Sequence, residues 1–486
     1  MLFRLPKSLS ALLCLFALAV TSPAYVQSAD VQLPSLGDST SGIISQQQEY
    51  ELGRSWLRMY RSRVPLHNDP ELLHYLEQLT FKLASNSELN DFRLELLLIN
   101  NRTMNAFAVP GGVIGVHTGL FSYAKSEDQL ASVLAHEIAH LSQRHFARRV
   151  DEQRKNSKLT MAGLLASLVL AATVGGDAGI AAMTATQAAS LENALRYSRQ
   201  NEQEADRFGM DTIHASGMNP AAVPEMFEQM LQATRYTGHK PPEFLLTHPL
   251  TENRVADARG RANKYPVRHY PHNADYYLMQ ARAFLAMDRN PTQSIKRFQS
   301  ELEGHSLSKD ASLYGLALAQ IAASQFPEAR QSVDQLLAQE PDKLAYLMAD
   351  IALERESGNL NTAIKKADLL LPTHTTYYPL LFSQSENHLR ANRYDQSEII
   401  LERLSKDRPN DPNVWFQLAE VRGLAGNISG VHQARAEYFI LIGVFDQARE
   451  QLGYAARLAK QDHKQSAIIS QRLRDLKDLE DKSAKL

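Results

Sequence analysis

The chain has 486 residues and a single cysteine. That residue, Cys14, lies inside the N-terminal stretch MLFRLPKSLSALLCLFALAVTSPAYVQSAD. Arg4 and Lys7, the apolar positions 11–20 and the small residues after them predict a secretory signal peptide over residues 1–29. Leu13 precedes Cys14 where a lipid anchor needs a small residue, so no lipid anchor is expected. Past the leader there is no cysteine at all, which excludes disulfides and thiolate metal ligands. Such a chain can live in an oxidising compartment, and a bacterial periplasm fits best. Any metal site must then be built from histidines and carboxylates.

Charge bias is also missing. Lys and Arg number 52 against 54 Asp and Glu, a net charge of -2, which gives no footing for a nucleic-acid partner. Long apolar runs are nearly absent. Residues 159–176 carry no charge and just reach the length of a membrane span, but serine, threonine and glycine interrupt them. They break at Gly175-Gly176-Asp177, and a second uncharged run continues to residue 191. An apolar helical hairpin over 159–191, packed on the rest or acting as a movable lid, is the favoured expectation. A membrane-dipping element, with peripheral membrane contact, is the minority reading.

The length is too great for one ordinary core, so two or three domains are expected. Residues 30–48 are rich in Ser, Gly and Gln and read as a poorly ordered lead-in. Helical patterning runs over 49–84, FRLELLLIN (92–100) reads as a strand, and NAFAVPGGVIGVHTGLF (105–121) as short strands around Gly111-Gly112.

Residues 130–145 read LASVLAHEIAHLSQRH. Leu130, Val133, Leu134, Ile138 and Leu141 recur at helical spacing, so the segment reads as a buried helix. Imidazoles and a carboxylate are costly there unless something satisfies them. His136 and His140 are one turn apart and share a face, where two imidazoles can hold one metal ion. Glu137 sits beside them as general base for a water on the metal, the H-E-x-x-H arrangement. The bland alternative is a chance match on a core helix, so a third ligand is required. LRYSRQNEQEADRFGM (195–210) crowds Glu202, Glu204 and Asp206 into five positions. The ordinary meaning is a solvated acidic face, but Tyr197, Phe208 and Met210 argue for partial burial.

The second half repeats. Ile295, Ala329, Ala363, Ser397 and Val431 stand 34 apart, and three before each come Thr292, Phe326, Leu360, Tyr394 and Ile428. PNVWFQLAEVRGLAGN (412–427) has the Trp, Leu, Ala and Gly pattern of a tetratricopeptide unit. A period of this length predicts a solenoid of paired helices. A partial last unit and a charged capping helix or tail from Ser466 complete the chain.

HEIAH, SRQNEQEAD (198–206) and THPLTENR (247–254), in this order, resemble the HtpX-like and CAAX-protease-like zinc metallopeptidases over about residues 45–265. The resemblance implies that His136, His140 and Glu202 hold one Zn2+ per chain, that Glu137 is the general base, and that Asp206 orients a ligand histidine. It implies a substrate-edge segment at Asn105 and Ala106. His248 is implied to act near the metal, either as an oxyanion donor or as a fourth ligand that keeps the enzyme latent. Arg254 is expected to pair with an acidic neighbour. Glu204 is read as a solvated or structural carboxylate, His117 as structural, and His145, five beyond His140, as structural and off the metal face.

The expected architecture is mainly α. A zincin metallopeptidase domain of helices and a small sheet (45–265) precedes an α-solenoid of tetratricopeptide repeats (270–465) and a capping helix or tail (466–486). With leader and repeats, the whole chain resembles a periplasmic group of that family. The implied activity is endopeptidase quality control of unfolded or misassembled outer-membrane proteins, with the repeats docking the β-barrel assembly machinery. The alternatives are a repeat-based chaperone or scaffold with minor proteolysis, and a maturation protease with one defined substrate.

Overall fold

The computed structural model describes residues 44–156, 199–236, 242–266, 268–304 and 306–485. The expected signal peptide and the expected 159–191 hairpin lie outside the described residues. Among those described, no helix is long and apolar enough to cross a membrane.

Helix α1 (Gln46–Arg61) starts inside the stretch read as a lead-in. Ser45 and Gln48 explain the difference, because they cap it reciprocally, side chain to backbone in both directions. Ile44 is buried beneath it. Helix α2 (Pro70–Ala84) begins at Asp69, whose carboxylate accepts from the backbone N–H groups of Glu71 and Leu72. Strands β1 (Glu95–Ile99), β2 (Ala106–Val109) and β3 (Val113–His117) form one sheet in the order β1-β3-β2, β1 parallel and β2 antiparallel to β3. The β2–β3 turn needs glycine at Gly111 (φ 79°), where a Cβ would also meet the Glu49 carbonyl oxygen at 2.4 Å.

The helices that build the site come next: α3 (Glu127–Ser142), α4 (His145–Asn156), α5 (Arg199–Ala215), α6 (Ala222–Tyr236), α7 (Glu243–Thr247) and α8 (Glu252–Ala262). Beyond residues 263–273 the chain is a run of helix pairs. These are α9 (Ala274–Met287) with α10 (Pro291–Glu303), α11 (Lys309–Ala322) with α12 (Phe326–Gln339) and α13 (Leu344–Glu356) with α14 (Leu360–Leu370). Then come α15 (Tyr378–Arg390) with α16 (Tyr394–Asp407), α17 (Pro412–Leu424) with α18 (Ile428–Leu441) and α19 (Phe445–Leu458) with α20 (His463–Lys485). Phe326, Leu360, Tyr394 and Ile428 each open the second helix of a pair. The in-register residues Ile295, Ala329, Ala363, Ser397 and Val431 are all buried. That burial is the physical reason for their small or apolar character. Helix α20 packs Ile469 and Leu476 against Ala448, Leu452 and Ala455 of α19, so it closes the stack.

The repeats lie along the first half of the chain. One apolar core runs from α2, β3 and α3 into α9, α11 and α13. Arg282 forks onto Asp69 at 2.9 Å and Glu71 at 3.0 Å. Further along, Arg408 grips Glu77 with its two terminal nitrogens, Asn410 donates to Glu95 at 2.6 Å, and Lys482 reaches Glu51 at 3.3 Å.

Candidate metal centre

Helix α3 is held by burial of Leu130, Val133, Leu134 and Ile138. The same packing presents His136 and His140 inward, 5% and 3% exposed. Their Nε2 atoms face each other at 3.0 Å. Helix α5 crosses closely at Gly209, where an added Cβ would lie 3.2 Å from the His136 backbone nitrogen. That approach brings Glu202 to 3.5 Å from both imidazoles. His248, at the C-terminal end of α7, lies with Nδ1 3.1 Å from Glu202 and 3.4 Å from His136 Nε2. One ligand atom from each of His136, His140, Glu202 and His248 falls within 4.8 Å of the others. Glu137 is 1% exposed and its Oε1 accepts no hydrogen bond among the described residues; His248 Nε2 stands 3.5 Å from it. Two imidazole nitrogens facing each other at 3.0 Å, with a carboxylate beside them, suit a shared cation better than each other.

The surroundings hold these groups in place. Asp206 Oδ1 reaches His136 Nδ1 at 3.0 Å. Arg254 donates to both oxygens of Asp206 at 2.7 Å, meets Glu202 at 2.9 Å, and donates to the Pro249 carbonyl at 2.8 Å. Arg254 thus pairs with acidic neighbours and pins the loop after His248. Phe244 stacks on the His248 ring at 4.7 Å. His248 is 2% exposed, so it is an interior residue of the cluster.

Burial alone pulls His136 down, but the Asp206 and Glu202 carboxylates outweigh it and raise its pKa to about 9. Burial raises Glu202, yet His248 and His136 hold it well below the usual carboxylate range. Burial and the neighbouring His136 push His140 well below the ordinary histidine value. Burial raises Glu137 despite the opposing pull of His248 and His136.

The edge strand comes close to this cluster. In the β2–β3 register, the Asn105 carbonyl accepts from His117 N–H, which points the backbones of Asn105, Phe107 and Val109 at β3. Ala106 and Ala108 therefore turn their backbone groups away from β3, where Ala106 is fully buried and Ala108 partly exposed, and Ala108 N–H acts on Glu137. The Asn105 side chain donates to Glu243 at 3.0 Å. His117 is buried and its Nδ1 meets Thr103 Oγ1 at 2.8 Å, a structural setting.

Two residues gain partners that their spacing does not show. His145 is fully buried, and its Nδ1 lies 2.7 Å from His140 Nδ1. Helix α3 ends before it, and Arg144 at φ 50° turns the chain, which lays the ring against the far nitrogen of His140, off the metal face as expected. Of the two readings of Glu204 the structural one holds: it meets His145 Nε2 at 3.3 Å and Arg148 at 2.9 Å.

Fold and site define an HExxH metallopeptidase followed by helix-pair repeats. The signature of peptidase family M48 matches residues 70–262. The chain is 35% identical over 482 residues to the beta-barrel assembly-enhancing protease of Escherichia coli (strain K12), covering 99% of this chain and 98% of the relative. It is 34% identical to a putative beta-barrel assembly-enhancing protease of Vibrio cholerae, covering 92% and 93%. Over 37% of this chain and 50% of the relative, it is 30% identical to the mitochondrial metalloendopeptidase OMA1 of Schizosaccharomyces pombe. The chain belongs to peptidase family M48, among the beta-barrel assembly-enhancing proteases, and is a metalloendopeptidase.

Proposed function

We propose that this chain is a periplasmic zinc endopeptidase that removes unfolded or stalled outer-membrane β-barrel proteins. The observation that carries this reading is the convergence of four buried ligand atoms within 4.8 Å, next to a buried glutamate and the edge strand β2. His136, His140 and Glu202 hold the metal, with Asp206 orienting His136. Zinc, when bound, supplies Lewis-acid activation of a water and of the scissile carbonyl. Glu137 takes the proton of that water and returns it to the leaving amine. Its burial and its unpaired Oε1 suit that task.

An extended substrate adds along the β2 edge at Ala106 and Ala108, where the Ala108 N–H already holds Glu137, with Asn105 leading into the strand, and so passes Glu137. Pairing through main-chain groups tolerates many sequences, which suits unfolded β-rich chains. The names of the full-length relatives support this substrate class. His248 serves as a fourth ligand in the resting enzyme, because its Nδ1 lies 3.1–3.4 Å from Glu202 and His136. Substrate must displace it. The peptidase unit spans 45–265, tetratricopeptide repeats span 270–465 with a cap at 466–486, and the repeats dock the β-barrel assembly machinery. Residues 1–29 direct export.

The test is cleavage of an unfolded outer-membrane barrel by wild type, Glu137→Gln and His248→Ala. Activity lost in the first variant and raised in the second is expected. No cleavage by wild type and His248→Ala alike would overturn the peptidase reading of this substrate. Lower activity in His248→Ala would overturn the latent-ligand role.

A further inference from the structure

His140 has two ring nitrogens, and the metal reading uses only Nε2, the atom that faces His136 and Glu202. A neutral imidazole that gives Nε2 to a cation carries its proton on Nδ1. That atom lies 2.7 Å from His145 Nδ1, inside a buried contact between two rings at 72°. That contact offers the proton an acceptor at 2.7 Å. His140 Nδ1–H donates, so His145 Nδ1 must be bare and its proton must sit on Nε2. His145 Nε2 faces Glu204 Oε2 at 3.3 Å, an oxygen able only to accept. Arg148 donates to that same oxygen at 2.9 Å and keeps Glu204 ionised. Every donor then finds an acceptor.

From this we propose that His145 and Glu204 are positioning residues for the metal: a His140–His145–Glu204 relay fixes the tautomer and the ring plane of His140. It parallels the Asp206–Arg254 support behind His136, so each ligand histidine is held from its far nitrogen. The relay is set by the turn at Arg144, which ends α3 and swings the first residue of α4 back onto the preceding turn.

This inference rests on the metal reading, and the experiment separates the two. Zinc affinity of the full mature chain is measured by chelator competition for wild type, His145→Phe, His145→Gln and Glu204→Ala. Loss of such an outer partner weakens metal binding roughly 10–100-fold. That loss is expected for His145→Phe, with recovery of most affinity in His145→Gln, whose side-chain oxygen still accepts. A smaller loss is expected for Glu204→Ala. Nitrogen NMR of zinc-loaded, [15N]histidine-labelled wild type should show His145 with Nδ1 unprotonated and Nε2 protonated. A wild type that binds no zinc sinks the metal reading. Zinc bound equally by wild type and His145→Phe, equal losses in Phe and Gln variants, or a proton on His145 Nδ1 would each overturn the relay.

Discussion

Replacing Arg254 with leucine is the most searching single change. The side chain is 4% exposed and lies between two buried carboxylates, forking onto Asp206 at 2.7 Å and touching Glu202 at 2.9 Å. Leucine keeps part of the stem and removes the charge. Asp206 is then left with His136, and Glu202 with the imidazoles, in a setting where burial already opposes ionisation of both. Removing one partner of a buried ion pair costs about 3–5 kcal/mol, because the other charge stays buried and uncompensated. The metal-free Arg254→Leu protein should lose that much in urea unfolding. Lysine keeps the charge but not the planar fork, so Arg254→Lys should fall between. Zinc adds back positive charge beside Glu202, and the deficit should shrink when the metal is loaded. A loss below about 1 kcal/mol in the metal-free protein, or a deficit that zinc leaves unchanged, would refute this reasoning.

Gly209→Ala must push α5 from α3 by a few tenths of an ångström, since its Cβ would sit 3.2 Å from the His136 nitrogen. It should weaken zinc binding modestly, and Gly209→Leu should overpack by about 1–3 kcal/mol and lose zinc; unchanged affinity in the leucine variant contradicts the crossing. Without metal, Asp206 and Glu202 outweigh burial and hold His136 charged up to about pH 9, so zinc must displace a proton. Affinity should rise with pH up to about 9 and then level, which a titration at fixed zinc reads; a flat profile contradicts it. The same raised pKa stabilises the metal-free fold below about pH 6.5, a gain lost as pH rises through about 9. Arg282→Met strands Asp69 and Glu71 and should loosen the first repeats from α2. Limited proteolysis should then cut between residues 263 and 273, where wild type stays whole.

The sequence carried the periodic features well, and for physical reasons. Positions that recur every 34 residues are buried against neighbouring helices, so few side chains fit there. The His136 helix announced itself because polar groups in an apolar run need a purpose. What spacing could not carry was contact across a chain turn. His145 sits off the metal face as its spacing predicts, but spacing could not show that the helix ends at Ser142 and that Arg144 at φ 50° turns His145 back onto His140. Whether Glu204 is solvated or structural could not be read either, because its partners, His145 and Arg148, are far away in sequence. The start of α1 was hidden by composition, since a serine and a glutamine that read as loop formers make a capping box. The path of the repeats along α1 and α2 rests on pairs such as Arg408 with Glu77, which no local pattern signals.

The central claim is that His136, His140 and Glu202, joined at rest by His248, hold one zinc ion. X-ray absorption at the zinc edge of the purified mature chain tests it most directly, because it reports both metal content and ligand type. The account predicts one zinc per chain in a shell of three imidazoles and one carboxylate oxygen. A chain that takes up no zinc, or a zinc shell with one imidazole or none, contradicts it.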